Sequence, residues 1–512
     1  MMKRIMTPMS SVILALSLLA SCGSVPDSNE AGAEGGALPN NSVSSYSSPG
    51  NGKESIVGDA AVFATPDFSG IVGPRENTED DPPGGIYVSP DGSDSSATGS
   101  RDAPYKSINT ALQNAVPGDT VVLRGGVYRE GINVRVRVPD ITLKSAKGEW
   151  AVIDLTTHDP GAGEDSGVYF DVDSSGGRLK SVEVMGGFYA VCMETTYRWD
   201  PDDPFTYGAS NIIIEDCVLH DSKYDVVKVK PNCVNVIIRR SEIFNSGRAE
   251  VDKPYWLDGE ANAEGIDNVN GDSMVAQNNY IHDIGGNGIY AKGGATGVLI
   301  ENNLIERICG AGIMMGFDTS PDWFDIDANP HYYENIRGVV RNNLIIDTGW
   351  EGIGLYGSKD AQIYNNTLVD VDNGRLQVHS AVYFGLTYQD WEDYAGRPAN
   401  VNPHIHHNIV YQPASFSRRM IEIRYSEDLG GISALEGDPV MNDNCYYIDG
   451  KNAVFSDFRP GGAQENISLS VWQSHINGDS GSVEVDPQLD EEYMPSNPQC
   501  AGMGITTTLK EK

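Results

Sequence analysis

Polar and apolar positions repeat along the middle of the chain. A six-residue motif, apolar–any–polar–Asn-like–any–apolar, recurs as "IEDCVL", "IRRSEI", "AQNNYI", "IENNLI", "VRNNLI", "IYNNTL" and "IHHNIV". Its fourth residues are separated by 24, 38, 24, 40, 23 and 42 residues, so alternate repeats carry insertions. Short strands at this period predict an all-β, parallel β-helix in which coils stack over a shared core. A β-propeller is the alternative, but its four-stranded repeats are longer.

The fourth position of the motif is expected to face the interior. Amides stacked there would hydrogen-bond to their neighbours in the coils above and below, because each amide carries donors and an acceptor. The predicted internal ladder consists of Cys217, Ser241, Asn279, Asn303, Asn343, Asn366 and Asn408.

A second strand in each coil defines an outer face. The segments 220–241 and 282–303 align without a gap, and strand side chains alternate between two faces. Val227, Val229, Ile289 and Ala291 take the inward positions. The outward positions are therefore assigned to Lys228, Lys230, Tyr290 and Lys292, with Asp225 and Asn287 one step earlier.

The intervening coil adds acidic residues to this outer face. Its alignment places Glu264 beside Asp225 and Asp267 beside Lys228. Adjacent coils lie about 4.8 Å apart, so these side chains should share one charged patch. Further along, one outward row continues through Met314, Gly354 and Tyr383, and the other through Gly316 and Tyr356.

Three insertions are expected to form a wall beside this patch. Residues 193–210, 317–335 and 386–402 all follow the same strand of their coils and are rich in aromatic and acidic residues. Exposed aromatic rings beside polar groups suit the binding of sugar rings, although each ring can instead pack its own loop. The predicted sugar contacts are Lys230, Asn270, Tyr356, Tyr383, Trp323 and Trp391, and Trp199 lies in the first insertion.

The ends of the chain differ from the repeats. Residues 1–21 combine Lys3 and Arg4 with a short apolar run, as in a signal peptide. "LASC" resembles a bacterial lipoprotein cleavage box, which implies a lipid on Cys22; an ordinary secretory signal is the alternative. Residues 22–83 are predicted to be a flexible tether and 84–512 the β-helix domain, with a short helical N-terminal cap near "SINTALQNAV" and a C-terminal cap from about residue 440.

Charge limits the classes of partner. The chain has 36 basic and 72 acidic residues, a net charge of -36, which argues against nucleic acid as a ligand. It also disfavours an anionic polymer unless local lysines or a bound cation reverse the field. The cysteines show no spacing typical of zinc. We expect a monomer in the bacterial envelope that contacts the membrane only through its lipid and faces extracytoplasmic space.

The outer patch and the opening segments "IYVSPDGSD" and "PGDTVVLRGGVY" resemble the right-handed β-helix polysaccharide lyases, most nearly family nine, whose members cleave pectic polymers. In that family, calcium binds an Asp on one coil and an Asp-Asp-Gly-x-Asp run on the next, and a lysine base follows. The resemblance implies calcium at Asp225, Glu264 and Asp267, with Ala263 replacing one acid. Tyr290 takes the lysine column, and Lys292 lies two residues on.

The chemistry supports the same interpretation. β-Elimination of a uronate needs a base for the proton α to the carboxylate and a cation to stabilise the developing charge. A lysine beside a bound cation would have a lowered pKa; Lys292 is the first choice of base and Lys228 the second. A surface ladder of ion pairs would be the non-functional alternative.

Three other functions stay open. A glycoside hydrolase needs two carboxyl groups about 5 to 9.5 Å apart, which Asp267 could form with Glu264 or Glu351. A uronate epimerase needs a second proton carrier, for which Tyr290 is available. A non-catalytic polysaccharide-binding protein would need the aromatic wall but not the lysines.

Overall fold

Successive turns of the chain stack as coils, and each full coil contributes one strand to each of three long parallel sheets. The computed structural model describes residues 70–156, 166–196, 207–247, 263–373, 379–387, 397–428 and 430–511. One coil, for example, contains the strands Ile237–Arg239, Glu242–Phe244 and Ile266–Val269, one in each sheet. This architecture is a parallel β-helix and confirms the predicted fold class.

The described strands fall into these sheets in the following order. The first sheet contains Ile86–Val88, Thr120–Leu123, Thr142–Ser145, Arg178–Lys180, Ile213–Glu215, Ile237–Arg239, Val275–Gln277, Leu299–Glu301, Val339–Arg341, Gln362–Tyr364, His404–His406 and Val440–Asn442. The second contains Gly126–Tyr128, Ala151–Leu155, Val182–Gly186, Val218–His220, Glu242–Phe244, Tyr280–Ile284, Leu304–Ile308, Leu344–Thr348, Thr367–Val369, Ile409–Gln412 and Cys445–Ile448. The third contains Val134–Val136, Val168–Phe170, Val191–Met193, Val227–Val229, Ile266–Val269, Ile289–Lys292, Ile313–Met315, Ile353–Leu355, Ser380–Phe384, Arg419–Ile423, Phe455–Asp457 and the antiparallel Gln464–Ile467.

Smaller elements complete the described part of the chain. A fourth sheet contains Ala295–Thr296, Asn335–Ile336, Ser358–Lys359, Asn400–Val401 and Leu435–Glu436. Two-stranded pairs join Ile71–Val72 to Lys510–Glu511 and Tyr425–Ser426 to Ile432–Ser433. The α-helices are Ile108–Asn114 and Leu469–His475, and the 3₁₀ turns are Pro321–Trp323 and Pro498–Cys500. None of these helices has the length and apolar character that crossing a membrane requires.

The apolar core runs inside the coils. Val227, Val229, Ile266, Ile289 and Ala291 are fully buried, as the alternation of strand residues predicts. Full burial of an aliphatic side chain contributes about 1.5–3 kcal/mol, and every coil repeats this burial. The core therefore fixes which residues of the third sheet face outward.

The predicted amide ladder is confirmed. Each Nδ2 donates to the Oδ1 of the next coil, at 3.1 Å from Asn279 to Asn303 and 2.9 Å from Asn303 to Asn343. The series continues through Asn366 and Asn408 and includes Asn444, which the sequence motif missed. At its N-terminal end, Ser241 donates its backbone N–H to Asn279, and Cys217 donates its backbone N–H to Ser241. These bonds satisfy polar groups that would otherwise be costly inside the core.

Both ends of the domain depart from the predicted boundaries. The helix Ile108–Asn114 forms the expected cap, with Ser107 accepting a hydrogen bond from Thr110 N–H. Residues 70–83 are not tether, because Val72 is buried with Leu304 and Leu344. The strand that begins the domain, Ile71–Val72, has only two residues, so the sequence showed no periodic pattern that would predict it. The coils also extend past residue 440 as far as Phe455–Asp457, and only then do the antiparallel strand and second helix close the stack.

Candidate functional site

The outward row of the third sheet carries the predicted polar residues in register. Lys228 lies opposite Asp267, and Asp267 lies opposite Tyr290. The row continues through Met314, Gly354, Tyr383 and Glu422. We call this row and its flanking outward residues the outer strip. Val269 lies opposite Lys292, which settles the register after Asp267.

Three carboxylates and one lysine meet on the outer strip. Asp225, Glu264 and Asp267 are buried and each offers an oxygen, all within 4.8 Å of one another. Lys228 Nζ lies 3.1 Å from Asp225 Oδ2 and also contacts Asp267 Oδ2. The Glu264 backbone N–H donates to Asp225 Oδ1 at 2.9 Å. These four residues are the acid–lysine cluster.

Burial and mutual repulsion set the charges in this cluster. Burial raises the pKa of Glu264 well above its ordinary value, and the nearby Asp225 and Asp267 raise it further. Burial alone would raise the pKa of Asp225, but Lys228 and hydrogen bonds from Glu264 lower it. Burial alone would lower the pKa of Lys228. The negative charges of Asp225 and Asp267 have a larger effect, so the pKa of Lys228 is raised. The aspartates therefore favour the charged form of Lys228, and burial together with the same aspartates favours the protonated form of Glu264.

The donor set of the cluster fits a calcium ion. Glu264 Oε2 and Asp267 Oδ1 are buried and have no hydrogen-bond partner among the described residues. Such atoms are costly unless something binds them. Calcium takes several carboxylate and carbonyl oxygens, so oxygens from two neighbouring coils are suitable ligands. The one lysine balances only part of the negative charge of three carboxylates.

Lys292 lies next to the cluster on the neighbouring outward row. Its side chain is buried, and Nζ lies 4.1 Å from the centroid of the Tyr290 ring. Its positive charge lowers the pKa of Glu264, against the larger effect of burial. The Tyr290 hydroxyl accepts a hydrogen bond from the Asp318 backbone N–H at 3.3 Å, so the insertion 317–335 covers this part of the strip. Burial raises the pKa of Tyr290, which keeps its proton.

Known proteins share the fold. The family model described as "Right handed beta helix region" matches residues 161–321 and 205–387. The chain contains a right-handed β-helix. Pectate lyase PEL9 from Emericella nidulans is 42% identical over 74 residues, which are 14% of this chain and 18% of that protein. The chain thus matches less than a fifth of that relative's length.

Three solved structures are similar to this β-helix in backbone course. The pectate lyase Pel9A is 15% identical, with 69% of this chain and 80% of that chain covered and a TM-score of 0.44. The Azotobacter vinelandii mannuronan C-5 epimerase AlgE4 A-module is 16% identical, with 69% and 92% covered and a TM-score of 0.44. PfbA, a surface adhesin of Streptococcus pneumoniae, is 14% identical, with 70% and 89% covered and a TM-score of 0.44.

Lys230 and Asn270, two of the predicted sugar contacts, are held by residues that the sequence analysis did not pair with them. Lys230 Nζ lies 2.9 Å from Glu194 Oε1, a carboxylate that the sequence analysis did not identify. Asn270 donates to the Trp323 backbone carbonyl at 2.8 Å and so holds the insertion 317–335 on the strip. Asn270 therefore positions the wall, whereas the sequence analysis had assigned it to sugar contact. Trp199, Trp391 and Cys22 lie outside the described residues.

A second polar cluster lies further along the outer strip. Glu351 is fully buried; its Oε1 accepts a hydrogen bond from the Tyr356 hydroxyl at 2.8 Å, and its Oε2 bonds to His379 Nδ1. Tyr356 reaches Glu351 because Gly354 and Gly385 leave room for its ring; a Cβ at Gly385 would collide with it. The His379 ring stacks on Tyr383 with centroids 4.5 Å apart. We call Glu351, His379, Tyr356 and Tyr383 the histidine cluster.

The sequence analysis predicted Tyr356 and Tyr383 in this region but missed His379. His379 immediately precedes the strand Ser380–Phe384, so the alternation of strand residues gave no orientation for it. The cluster also corrects one hydrolase pairing. Asp267 and Glu351 are three coils apart, about 14 Å at the usual strand spacing, which is too far for one glycosidic bond. The pairing of Asp267 with Glu264 is the one that the structure brings together, since one oxygen of each lies within 4.8 Å of the other.

Proposed function

We propose that this β-helix cleaves a uronate-containing polysaccharide by calcium-assisted β-elimination. The observation that carries the proposal is the pair of unpartnered, buried oxygens on Glu264 and Asp267, beside two lysines on one outward strip. Buried polar atoms usually have a partner, and a bound cation would supply one for both of these oxygens. Calcium bound by Asp225, Glu264 and Asp267 would supply positive charge where the substrate carboxylate becomes an enolate-like anion.

The lysines have different roles in this proposal. Lys292 removes the proton from the carbon α to the uronate carboxylate. The bond from the β-carbon to the leaving sugar oxygen then breaks, a carbon–carbon double bond forms, and the leaving oxygen takes a proton from solvent. Lys228 is held by two aspartates that favour its charged form, so it suits the task of a fixed counter-charge better than that of a base.

The curated relative agrees with this class of substrate. That relative is a pectate lyase, so pectic polymers are the first substrates to test. The proposal extends that activity to a chain that matches only 18% of the relative, so the test must include other uronate polymers.

The test compares uronate polymers with and without calcium. Purified protein is incubated with polygalacturonate, alginate and glucuronate-containing polymers, and the ultraviolet absorbance of the unsaturated product is followed. We expect absorbance to rise with one polymer class and to stop when a chelator is added. New reducing ends without that absorbance would show hydrolysis, and binding without either product would show a non-catalytic protein; each outcome rejects the lyase.

Epimerisation is the second candidate because Tyr290 offers a proton carrier beside Lys292, with Nζ 4.1 Å from the ring centroid. Inversion requires that a proton return to the face of the carbon opposite the base. Because the two side chains contact each other, they cannot flank the sugar as they stand, which makes epimerisation the weaker proposal. Proton NMR of the polymer in deuterated water distinguishes the two reactions, since epimerisation incorporates deuterium without forming a double bond.

We also propose that the protein is anchored to the bacterial envelope by a lipid on Cys22. The support is the sequence alone, in which "LASC" follows a short apolar run and precedes a Ser- and Gly-rich segment. Metabolic labelling with a fatty acid should mark the wild-type protein and not Cys22→Ala. Equal labelling of both proteins would reject the anchor.

A further inference from the structure

The histidine cluster presents one polar atom that the protein does not use. His379 Nδ1 is bonded to the buried Glu351, and His379 Nε2 has no hydrogen-bond partner among the described residues. The His379 side chain retains 16% of its exposure, and its ring is held between Tyr383 and the edge of Trp350. A carboxylate on one ring nitrogen fixes the orientation of the imidazole and favours its charged form.

Arginines offset the carboxyl groups around His379. His379 faces Glu351, Asp372 and Glu422. Glu422 pairs with Arg419 and Arg424, and Arg418 acts on Asp372. Three arginines thus balance three carboxyl groups. Asp372 is 1% exposed, and burial raises its pKa to about 7, so much of it is neutral near that pH.

The cluster lies on the path that a polysaccharide would follow. Tyr383 belongs to the same outward row as Lys228 and Asp267. The coil of Tyr383 is four coils from Asp267 and three from Lys292, about 19 Å and 14 Å at the usual spacing. A single bond cannot meet both clusters, so the histidine cluster would contact sugar units several residues away from the one being cleaved.

We propose that His379 is a distal subsite for a uronate carboxylate, with Nε2–H as its donor and Tyr383 and Trp350 beside the sugar. This inference rests on the proposed function, because it assumes an anionic polymer on the outer strip. It explains how a chain with a net charge of -36 holds such a polymer beyond the acid–lysine cluster. Asp372, both of whose oxygens are buried and unpartnered among the described residues, acts electrostatically on His379 and adds little repulsion while protonated.

The test uses oligomers of galacturonate with three and eight units. Calorimetry is carried out on protein carrying Lys292→Ala, so that the oligomers are not cleaved. His379→Gln should weaken binding of the octamer about 10- to 100-fold, the value of a charge-assisted hydrogen bond, and weaken the trimer far less. Glu351→Gln, which removes the partner that charges the imidazole, should cause a similar length-dependent loss. His475→Gln, which removes the imidazole that pairs with Asp457 in the C-terminal cap, is the matched control and should change neither affinity.

Several outcomes would overturn the subsite. Equal losses for trimer and octamer, or no loss for either, would reject it. If His379→Gln in the otherwise wild-type protein abolishes turnover of the trimer, His379 acts in the reaction and not at a distance. If the trimer is cleaved but the octamer binds no more tightly, only the subsite fails. If neither oligomer nor any uronate polymer is bound or cleaved, the proposed function fails and the subsite with it.

A separate observation concerns Cys445 and Cys500. Both are buried, and their Sγ atoms lie 3.1 Å apart, with Cys445 in the last coil and Cys500 in the 3₁₀ turn of the C-terminal segment. We infer that these two thiols form a disulfide in an oxidising compartment. An external disulfide is reduced to two thiols while Cys445 and Cys500 lose two protons and two electrons, and the Sγ–Sγ bond forms.

Mass spectrometry tests this pairing directly. Protein incubated with oxidised glutathione, alkylated and digested without reductant should yield one linked peptide that contains Cys445 and Cys500. The Cys445→Ser variant should lack this peptide and leave Cys500 alkylated. Complete alkylation of both cysteines in the wild-type protein after denaturation would reject the disulfide.

Discussion

The acid–lysine cluster and the histidine cluster lie on the same outer strip of the same sheet, yet they neutralise buried carboxylates differently. In the first, Asp225, Glu264 and Asp267 share one lysine, and two oxygens have no partner among the described residues. In the second, both oxygens of Glu351 are bonded, one by Tyr356 and one by His379. Both clusters lie along the third sheet, so the sheet itself does not account for the difference.

This difference separates two chemistries along one strip. Of the residues that the structure describes, the acid–lysine cluster is the one group whose acidic ligand atoms converge within 4.8 Å. A cation or a proton would satisfy its unpartnered oxygens, and the raised pKa of Glu264 favours a proton there when no cation is bound. Glu351 needs neither, because its hydrogen-bond donors are built in. We therefore expect metal dependence at the first cluster and charge-assisted sugar binding at the second.

The largest expected effect is on the base. Lys292→Ala should reduce turnover by a factor of about 10² to 10⁴ while calcium binding and folding are retained, since loss of a general base has this magnitude. Steady-state rates on the active polymer measure it, and calorimetry checks calcium. Lys228→Ala is the matched comparison. If Lys292→Ala is nearly normal and Lys228→Ala is not, the base has been assigned to the wrong lysine. If both are active and Glu264→Gln or Asp267→Asn is inactive, the reaction is carboxylate-driven.

The two clusters also differ in how far sequence alone could predict them. The spacing of "IENNLI"-like motifs predicted the coils and the amide ladder, because a core of fixed width imposes a fixed period. The same register placed Lys228 opposite Asp267 correctly, since both lie within regular strands. His379 precedes its strand, and Asp372 lies in a turn with positive φ, where side-chain direction does not follow from alternation.

The sequence also did not predict ion-pair and hydrogen-bond partners that come from distant segments of the chain. Glu194, in the adjacent coil, forms an ion pair with Lys230. Asn270 donates a hydrogen bond to the backbone carbonyl of Trp323, which lies within the insertion 317–335. The sequence analysis assigned Lys230 to sugar binding because it indicated only that this residue faces outward, and it listed Asn270 with it. Which outward groups remain available depends on how the insertions fold back, and no periodic pattern describes that.

The second prediction concerns Asp372 beside the histidine cluster. Its pKa is about 7 in the folded protein, raised mainly by burial from an ordinary value of 3.8. The folded state therefore binds the Asp372 proton more tightly than the unfolded state does. This binding contributes fully to the free energy of unfolding below about pH 4, and the contribution is lost as the pH rises to about 7. The difference corresponds to up to about 4 kcal/mol. Asp372→Asn should make the free energy of unfolding less dependent on pH and should raise it at neutral pH. Denaturant unfolding at a series of pH values measures this. An unchanged pH profile would show that Asp372 titrates normally.

The third prediction separates the clusters by metal. Asp267→Asn should lower calcium affinity by at least about 10- to 100-fold, because even groups behind a metal ligand have effects of this size. It should also destabilise the calcium-free protein, since Lys228 loses one of its two carboxylate partners. Glu351→Gln, three coils away, should leave calcium affinity unchanged. Calorimetric titration of chelator-treated protein measures both variants. No calcium binding by the wild type would leave the ion-pair ladder as the better account of the acid–lysine cluster.

The smallest expected effect tests whether the histidine cluster is held together by the protein alone. Tyr356→Phe keeps the ring that lies over Gly354 and Gly385 but removes the hydroxyl 2.8 Å from Glu351 Oε1. The free energy of unfolding should fall by about 1 kcal/mol, the usual net value of one hydrogen bond, and His379 should still bond the other oxygen. Because the missing donor is internal, calcium should not restore the loss, whereas calcium should stabilise the wild type and Tyr356→Phe equally through the acid–lysine cluster. Denaturant unfolding of both proteins with and without calcium measures this. A loss that calcium repairs would mean that the two clusters are coupled along the strip and that their division into a metal site and a metal-free site is wrong.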